Sequence, residues 1–253
     1  MNFLKNSLIL LLISLISSKS YSNSHAHDVS GEEFKSETRI FKKISKRSLL
    51  RFTLENHNRL EKRKTQTFAI EYTKFLTKKL SVYSQYEKKY GERFDEDWIK
   101  VSSGWAWANT NSRSVNWVYL GLGYRDKLKF LPGKNWKFNI KTGLKHNLFN
   151  SQLSYQMTPT ITYFKYKDAK LKWSYFLQSD FFYGVNFAKN NIYRWYSYLG
   201  FLRHFNKKVA IGSFIGVTTY HWFSTEEIEA ATGHAHESSN NSKLLGLVIN
   251  LKI

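Results

Sequence analysis

From Leu49 to the C-terminus, apolar and polar residues alternate with a period of two. Between Trp136 and Lys145, one face reads Trp136, Phe138, Ile140, Thr142 and Leu144, and the other Lys137, Asn139, Lys141, Gly143 and Lys145. Successive side chains of a strand point to opposite faces. The segment therefore predicts a strand with one greasy side and one side carrying three lysines. The pattern recurs: Val118, Leu120, Leu122 and Tyr124 oppose Tyr119, Gly121, Gly123 and Arg125, and Leu171, Trp173, Tyr175 and Leu177 oppose Lys172, Ser174, Gln178 and Asp180. Eleven such segments lie at about 48–56, 65–75, 79–88, 98–108, 115–126, 135–146, 151–165, 169–183, 191–204, 208–223 and 243–253, with 33–44 a weaker twelfth. Most are 9 to 15 residues long, against roughly 5 to 6 for an ordinary strand. A strand tilted across a bilayer needs about 9 to 11.

A soluble β-sandwich also alternates, but three features oppose it. The strands are too long. The polar faces hold Gly, Ser, Thr, Asn and Lys while the apolar faces carry Trp, Tyr and Leu. Aromatics crowd the strand ends, as at Trp98, Trp117, Trp136, Tyr193, Tyr220 and Trp222, where the interfacial girdles of a transmembrane barrel would lie. A sheet that spans a membrane must be closed, because every backbone group has to be paired internally.

The N-terminus reads as an address. One basic residue, Lys5, precedes the apolar stretch Ser7 to Ile16 (SLILLLISLI), and the small polar run SSKSYS follows at 17–22. These are the three regions of a secretory signal peptide, and the stretch is shorter than the roughly 20 residues of a spanning helix. The expected organisation is a signal peptide at 1–22, an N-terminal lead-in or weak first strand at 23–46, and a barrel at 47–253. Composition sharpens this. The chain has no Cys, which removes disulfides and thiolate chemistry. Aromatics are 17% of the residues, too many for a disordered basic chain. A mean hydropathy of −0.47 excludes a helical multi-span protein.

The last strand ends Leu245-Gly246-Leu247-Val248-Ile249-Asn250-Leu251-Lys252-Ile253, apolar at every second residue counted back from the terminus. With the signal peptide and the meander, the chain resembles bacterial outer-membrane β-barrel proteins. The usual final Phe or Trp of that class is Ile253 here. The resemblance implies an all-β, antiparallel, up-and-down transmembrane barrel in a Gram-negative outer membrane. It also implies a last strand read by the barrel-assembly machinery. Such barrels have even strand counts with both termini in the periplasm. Twelve strands are therefore expected, or ten if 33–46 is a lead-in. Counting back from the C-terminus, linker 224–242 falls outside and the turns 205–208 and 166–169 inside. The scheme strains at 89–97 and 127–134, which are long for inside turns, and at 76–78, which is short for an outside loop.

Lys and Arg number 39 against 19 Asp and Glu, a net charge of +20. Ionised side chains facing lipid at mid-depth cost roughly 2–4 kcal/mol for Arg or Lys, so strand charges must face inward. The inward set is Arg51, Lys100, Arg125, Lys137, Lys141, Lys145, Lys172 and Arg194, against Glu55, Glu71, Glu87 and Asp180. Those eight cations are the candidate lining of an anion path, with Asp180 the expected counter-charge to the lysine ladder. The opposing expectation is a plugged lumen whose charges pair with one another, Glu71 or Glu87 meeting the lysines. Two His-Ala-His runs, His25-Ala26-His27-Asp28 and His234-Ala235-His236-Glu237, hold metal-ligand residue types. They are expected on opposite sides of the membrane, too few ligands each for a site. His57, His146, His204 and His221 have no Ser at matching spacing for nucleophilic catalysis. The remaining basic residues, as in HNRLEKRK at 57–64, suit anionic head groups.

The expected function is a narrow passive, porin-like channel for small anionic solutes. A plugged structural or surface-interaction barrel is the alternative, and a lipid-modifying enzyme the third reading. Expected partners are outer-membrane lipids and lipopolysaccharide, the barrel-assembly machinery and small anionic solutes, but no nucleic acid. No cofactor, metal site or catalytic residue is assigned.

Overall fold

The computed structural model describes residues 31–59, 63–101, 104–133, 135–149, 151–187, 191–223, 230, 233 and 237–253. Of these, the backbone alone is described at 59, 63, 92–101, 104–113, 222, 223 and 237–240. Eleven strands follow one another: β1 Gly31–Ser45, β2 Ser48–Arg59, β3 Arg63–Phe75, β4 Leu80–Val101, β5 Gly104–Lys127, β6 Trp136–Asn147, β7 Leu153–Lys167, β8 Lys170–Gly184, β9 Ile192–His204, β10 Val209–Phe223 and β11 Glu237–Lys252. Each pairs antiparallel with the next, and β1 pairs with β11, so the sheet closes on itself as a barrel. No helix among the described residues is long and apolar enough to cross a membrane, which says nothing about strands.

The count corrects the expectation of twelve, or ten. The weak segment 33–44 is a full strand, β1. The predicted segment 98–108 is not a strand of its own. It straddles the end of a hairpin whose arms, β4 and β5, run 22 and 24 residues and meet at Val101↔Gly104. An odd up-and-down count sends the first and last strands the same way, so closure has to be parallel. Gly31 lies beside Ser242 and Phe41 beside Lys252. The barrel thus begins at Gly31 at one end and finishes at Ile253 at the other, where both were expected on one side. We call the end holding Gly31 the upper rim and the end holding Ile253 the lower rim. Removing one strand also exchanges the ends of every earlier turn. Residues 76–79 become a short lower turn, and 89–97 are no turn at all; only 128–135 stays long for its side.

Alternation sets the two faces. Leu120, Leu122, Leu199, Ile215 and Leu245 are each half or more exposed on the outside, whereas their neighbours Tyr119, Tyr198, Phe214 and Leu244 are buried within. An outward aromatic band runs near the lower rim, Trp136 to Tyr163 to Tyr175 and Trp173 to Phe201, with successive ring centres 4.9–6.4 Å apart. Two residues expected in a girdle turn inward instead. Trp117 lies under Lys145 Nζ, and Tyr220 meets Tyr196 and Arg194. The side chains of Trp98 and Trp222 lie outside the described residues.

The interior has two kinds of wall. On β9–β11, Tyr198, Phe214, Leu244 and Val248 form a buried cluster joined by Phe176, Tyr196 and Leu202. The Phe214 ring fits because its direct partners on both sides are Gly200 and Gly246, and a Cβ at either would collide with Phe214. The wall of β1–β6 is charged. At the lower rim, Lys79 Nζ hydrogen-bonds Asp126, which ties the β3–β4 turn to β5 and raises the Lys79 pKa.

Candidate functional site

The charged wall encloses a cavity of about 270 Å³. Its lining begins with β1, whose inward row is Glu33, Lys35, Glu37 and Arg39 while Phe34, Ser36, Thr38 and Ile40 alternate with them. Glu37 and Glu55 face each other as direct partners across β1 and β2. Like charges so placed repel, and each is compensated along its own side. Arg39 grips Glu37 through two hydrogen bonds of 2.6 and 2.7 Å, and Lys35 meets Glu55 at 2.8 Å. Above them, the buried Glu33 carboxylate pairs with His57 at 2.8 Å and accepts a hydrogen bond from Thr218 at 3.1 Å. Thr218 belongs to β10, so Glu33 reaches past β11 and clamps the parallel closure.

Two pairs join strands that are not neighbours. Lys141 on β6 donates to both oxygens of Glu71 on β3, at 2.6 and 2.7 Å, and Arg51 on β2 holds the same carboxylate at 2.6 Å. Lys145 on β6 donates to Glu87 on β4 at 3.1 and 3.2 Å. Curvature makes this possible, because inward side chains of a small barrel converge on its axis. Asp180, the expected counter-charge to the lysines, bonds none of them. Its partners are Thr158 at 2.6 Å, Gln178 at 3.1 Å and Tyr198 at 3.3 Å. Arg194 stacks on Phe182 at 3.9 Å, with Tyr193, Tyr196 and Tyr220 around it at 5.5–5.9 Å.

Of the eight candidate cations, Arg51, Lys141, Lys145 and Arg194 line the cavity. Arg125 is exposed near the lower rim, over the Phe75 ring and donating to the Lys78 carbonyl. Lys137 is exposed beside Phe164, at 4.8 Å. Lys172 sits at the β8 bulge opposite Lys165 and Tyr166, away from the cavity. The side chain of Lys100 lies outside the described residues, on the hairpin beyond the barrel. The sequence reading missed Lys35, Glu37, Arg39 and Lys89, which also line the cavity. The signal was there in the alternating charges at 33, 35, 37 and 39, but the segment's weak apolar face (Phe, Ser, Thr, Ile) hid it. In all, seven cations and five carboxylates line the cavity.

Both His-Ala-His runs lie outside the described residues. The strands that lead to them share the upper rim, since Gly31 pairs with Ser242 and β11 starts at Glu237. The expectation that the two runs lie on opposite sides concerns residues outside those described. Among the described residues no three His, Asp or Glu gather as a metal site. A Ser–His contact that spacing alone did not reveal joins Ser174 and His204 at 2.9 Å on adjacent strands. No carboxylate is bonded to His204 among the described residues, so nothing orients that imidazole as a triad requires. No known protein family, curated protein or solved structure matches the chain.

Proposed function

We propose that this chain is an outer-membrane β-barrel forming a narrow passive path for small solutes, with a mild preference for anions. The observation that carries the reading is a closed sheet that is apolar outside and polar within, its lumen holding a cavity of about 270 Å³. Exposed apolar surface of this extent needs a hydrophobic partner, and a closed barrel is the only sheet that lipid tolerates. Outside the long hairpin, strands of 12 to 16 residues, tilted roughly 40°, clear an apolar band about 25 Å tall. The outward aromatic band near the lower rim matches an interfacial girdle. The signal peptide supplies export, and exposed basic residues such as Lys64 suit lipopolysaccharide phosphates. The apolar β11 is the segment offered to the assembly machinery. Seven cations against five carboxylates give the lumen its sign.

A second reading, the plugged structural barrel, is favoured by the Lys141–Glu71 and Lys145–Glu87 pairs that bridge non-neighbouring strands. Planar-bilayer recording of the refolded protein separates the two. The expected result is a small, steady conductance whose reversal potential in a salt gradient lies on the anion side. Absence of conductance in correctly folded protein would leave the structural barrel in its place.

A further inference from the structure

Every carboxylate that lines the cavity has a cation against it except one. Glu37, Glu55, Glu71 and Glu87 are held by Arg39, Lys35, Arg51 with Lys141, and Lys145. Asp180 has only neutral donors, Thr158 Oγ1, Gln178 Nε2 and Tyr198 OH. A carboxylate removed from bulk water without a counter-charge is costly, yet these three groups fix its orientation on the cavity wall. One turn of the pleat further along stands the opposite charge. Asp180 pairs with Tyr196, and the adjoining pair is Phe182 with Arg194. Asp180 and Arg194 are thus diagonal neighbours on one face, roughly 7–8 Å apart at the backbone. Stacking on Phe182 holds the guanidinium by its face, while its five N–H donors lie in its plane.

We propose that the Asp180–Arg194 wall of the lumen is a binding site for a small zwitterion of the α-amino-acid class. The solute's ammonium donates to Asp180 and its carboxylate accepts from Arg194. Each hydrogen bond is about 2.7–2.9 Å long, so an ammonium and a carboxylate one carbon apart bridge the diagonal. The cavity, about 270 Å³, has the scale of one such molecule and lies below the range of drug-sized pockets. The inference rests on the proposed solute path, in that it names the class of solute the path would take.

The test is isothermal titration of the detergent-refolded full chain with L-glutamine, N-acetyl-L-glutamine and L-glutaminamide, alongside bilayer recording. L-Glutamine is expected to bind saturably, and the other two, lacking the ammonium or the carboxylate, at least tenfold more weakly. Asp180→Asn and Arg194→Gln should each weaken glutamine tenfold or more with the thermal unfolding midpoint checked. Should Asp180→Asn misfold, Thr158→Val removes one donor from the carboxylate and keeps the charge, with a severalfold loss expected. Glutaminamide binding as tightly as glutamine would make this a simple cation site and overturn the zwitterion. A conducting protein that binds no glutamine would also overturn it and leave the solute path intact. Glutamine binding in a protein that does not conduct would uphold the site and overturn the path.

Discussion

Glu71 is the residue on which the lumen's charge balance turns. It accepts from Arg51 at 2.6 Å, from Lys141 at 2.6 Å and from Thr73 at 2.9 Å, and is itself buried. Removing one partner of a buried pair leaves the other uncompensated. Glu71→Gln should therefore lower the unfolding midpoint and move the reversal potential further to the anion side. Lys141→Gln removes a positive charge and frees part of Glu71, so its shift should run toward cations. Salt-gradient recordings of the two variants check this; shifts of the same sign would show that this node does not set selectivity. The lysines were legible in the sequence because positions 137, 141 and 145 share one face whatever the strand does next. Their partners were legible only as rival expectations, Asp180 beside an open path or Glu71 and Glu87 in a plugged lumen, and the pairs formed are those with Glu71 and Glu87. Periodicity says which way a side chain points but not which distant strand lies opposite. Only the closed curvature brings β3 and β4 to β6. Asp180 was the plausible counter-charge by strand order alone, and the bonded geometry puts it elsewhere.

At the scale of elements, β4 and β5 stand apart. Their pairing with the rest of the ring ends at Tyr90 on β3's side and at Trp117 on β6's side. Beyond that they continue as a ribbon of about ten residues an arm, roughly 33 Å above the upper rim. Its base is irregular. The register slips between Lys89 and Asp97, and Gly91 takes a φ of +71° against the Lys64 carbonyl, where a side chain would not fit. Bulges bend and twist a strand pair, so the ribbon can leave the wall at an angle without disturbing it. Replacing residues 92–113 with a two-residue Asn-Gly turn should leave the barrel folded, with an unchanged β-sheet circular dichroism spectrum and little change in unfolding midpoint. A collapse of the fold would mean that the ribbon helps to hold the ring. This element also explains the miscounted strand. Alternation lapses in both arms, at Gly91 to Asp97 and at Asn109 to Ser114, so those polar stretches read as linkers, and 98–108, which carries the end of one arm and the start of the other, reads as a strand of its own. Strands such as β7 and β8 were legible because the turn residues of YKDA punctuate them; the ribbon's own tip offers only Ser-Ser-Gly, inside the apolar-rich stretch from Trp98 to Ala108.

For the whole molecule, strand parity decides sidedness. Eleven strands place Gly31 and Ile253 at opposite rims, where an even count would place them together. On the proposed outer-membrane reading, with the upper rim facing out, an epitope inserted between residue 22 and Gly31 should be cut by protease added to intact cells, while one appended after Ile253 should be cut only once the outer membrane is opened. Equal accessibility of both tags would restore an even count. The same parity bears on how the barrel assembles. Ten of its ladders join neighbours in sequence and form as hairpins, but the eleventh joins β1 to β11. Closing a loop of about two hundred residues costs roughly 2–3 kcal/mol more than closing one of ten, so this seam is expected to form last and slowly. Until it does, a curled sheet presents two bare edges, and any second copy presents the same two. The inward row of β11 (Ser242, Leu244, Gly246, Val248) offers no charge to answer the row on β1. The polar contact that spans the seam is the carboxylate of Glu33, which reaches over β11 to Thr218, and a second copy offers the same Thr218. What favours the closed ring over a polymer of linked open sheets is therefore the effective concentration at which the chain holds its own second edge.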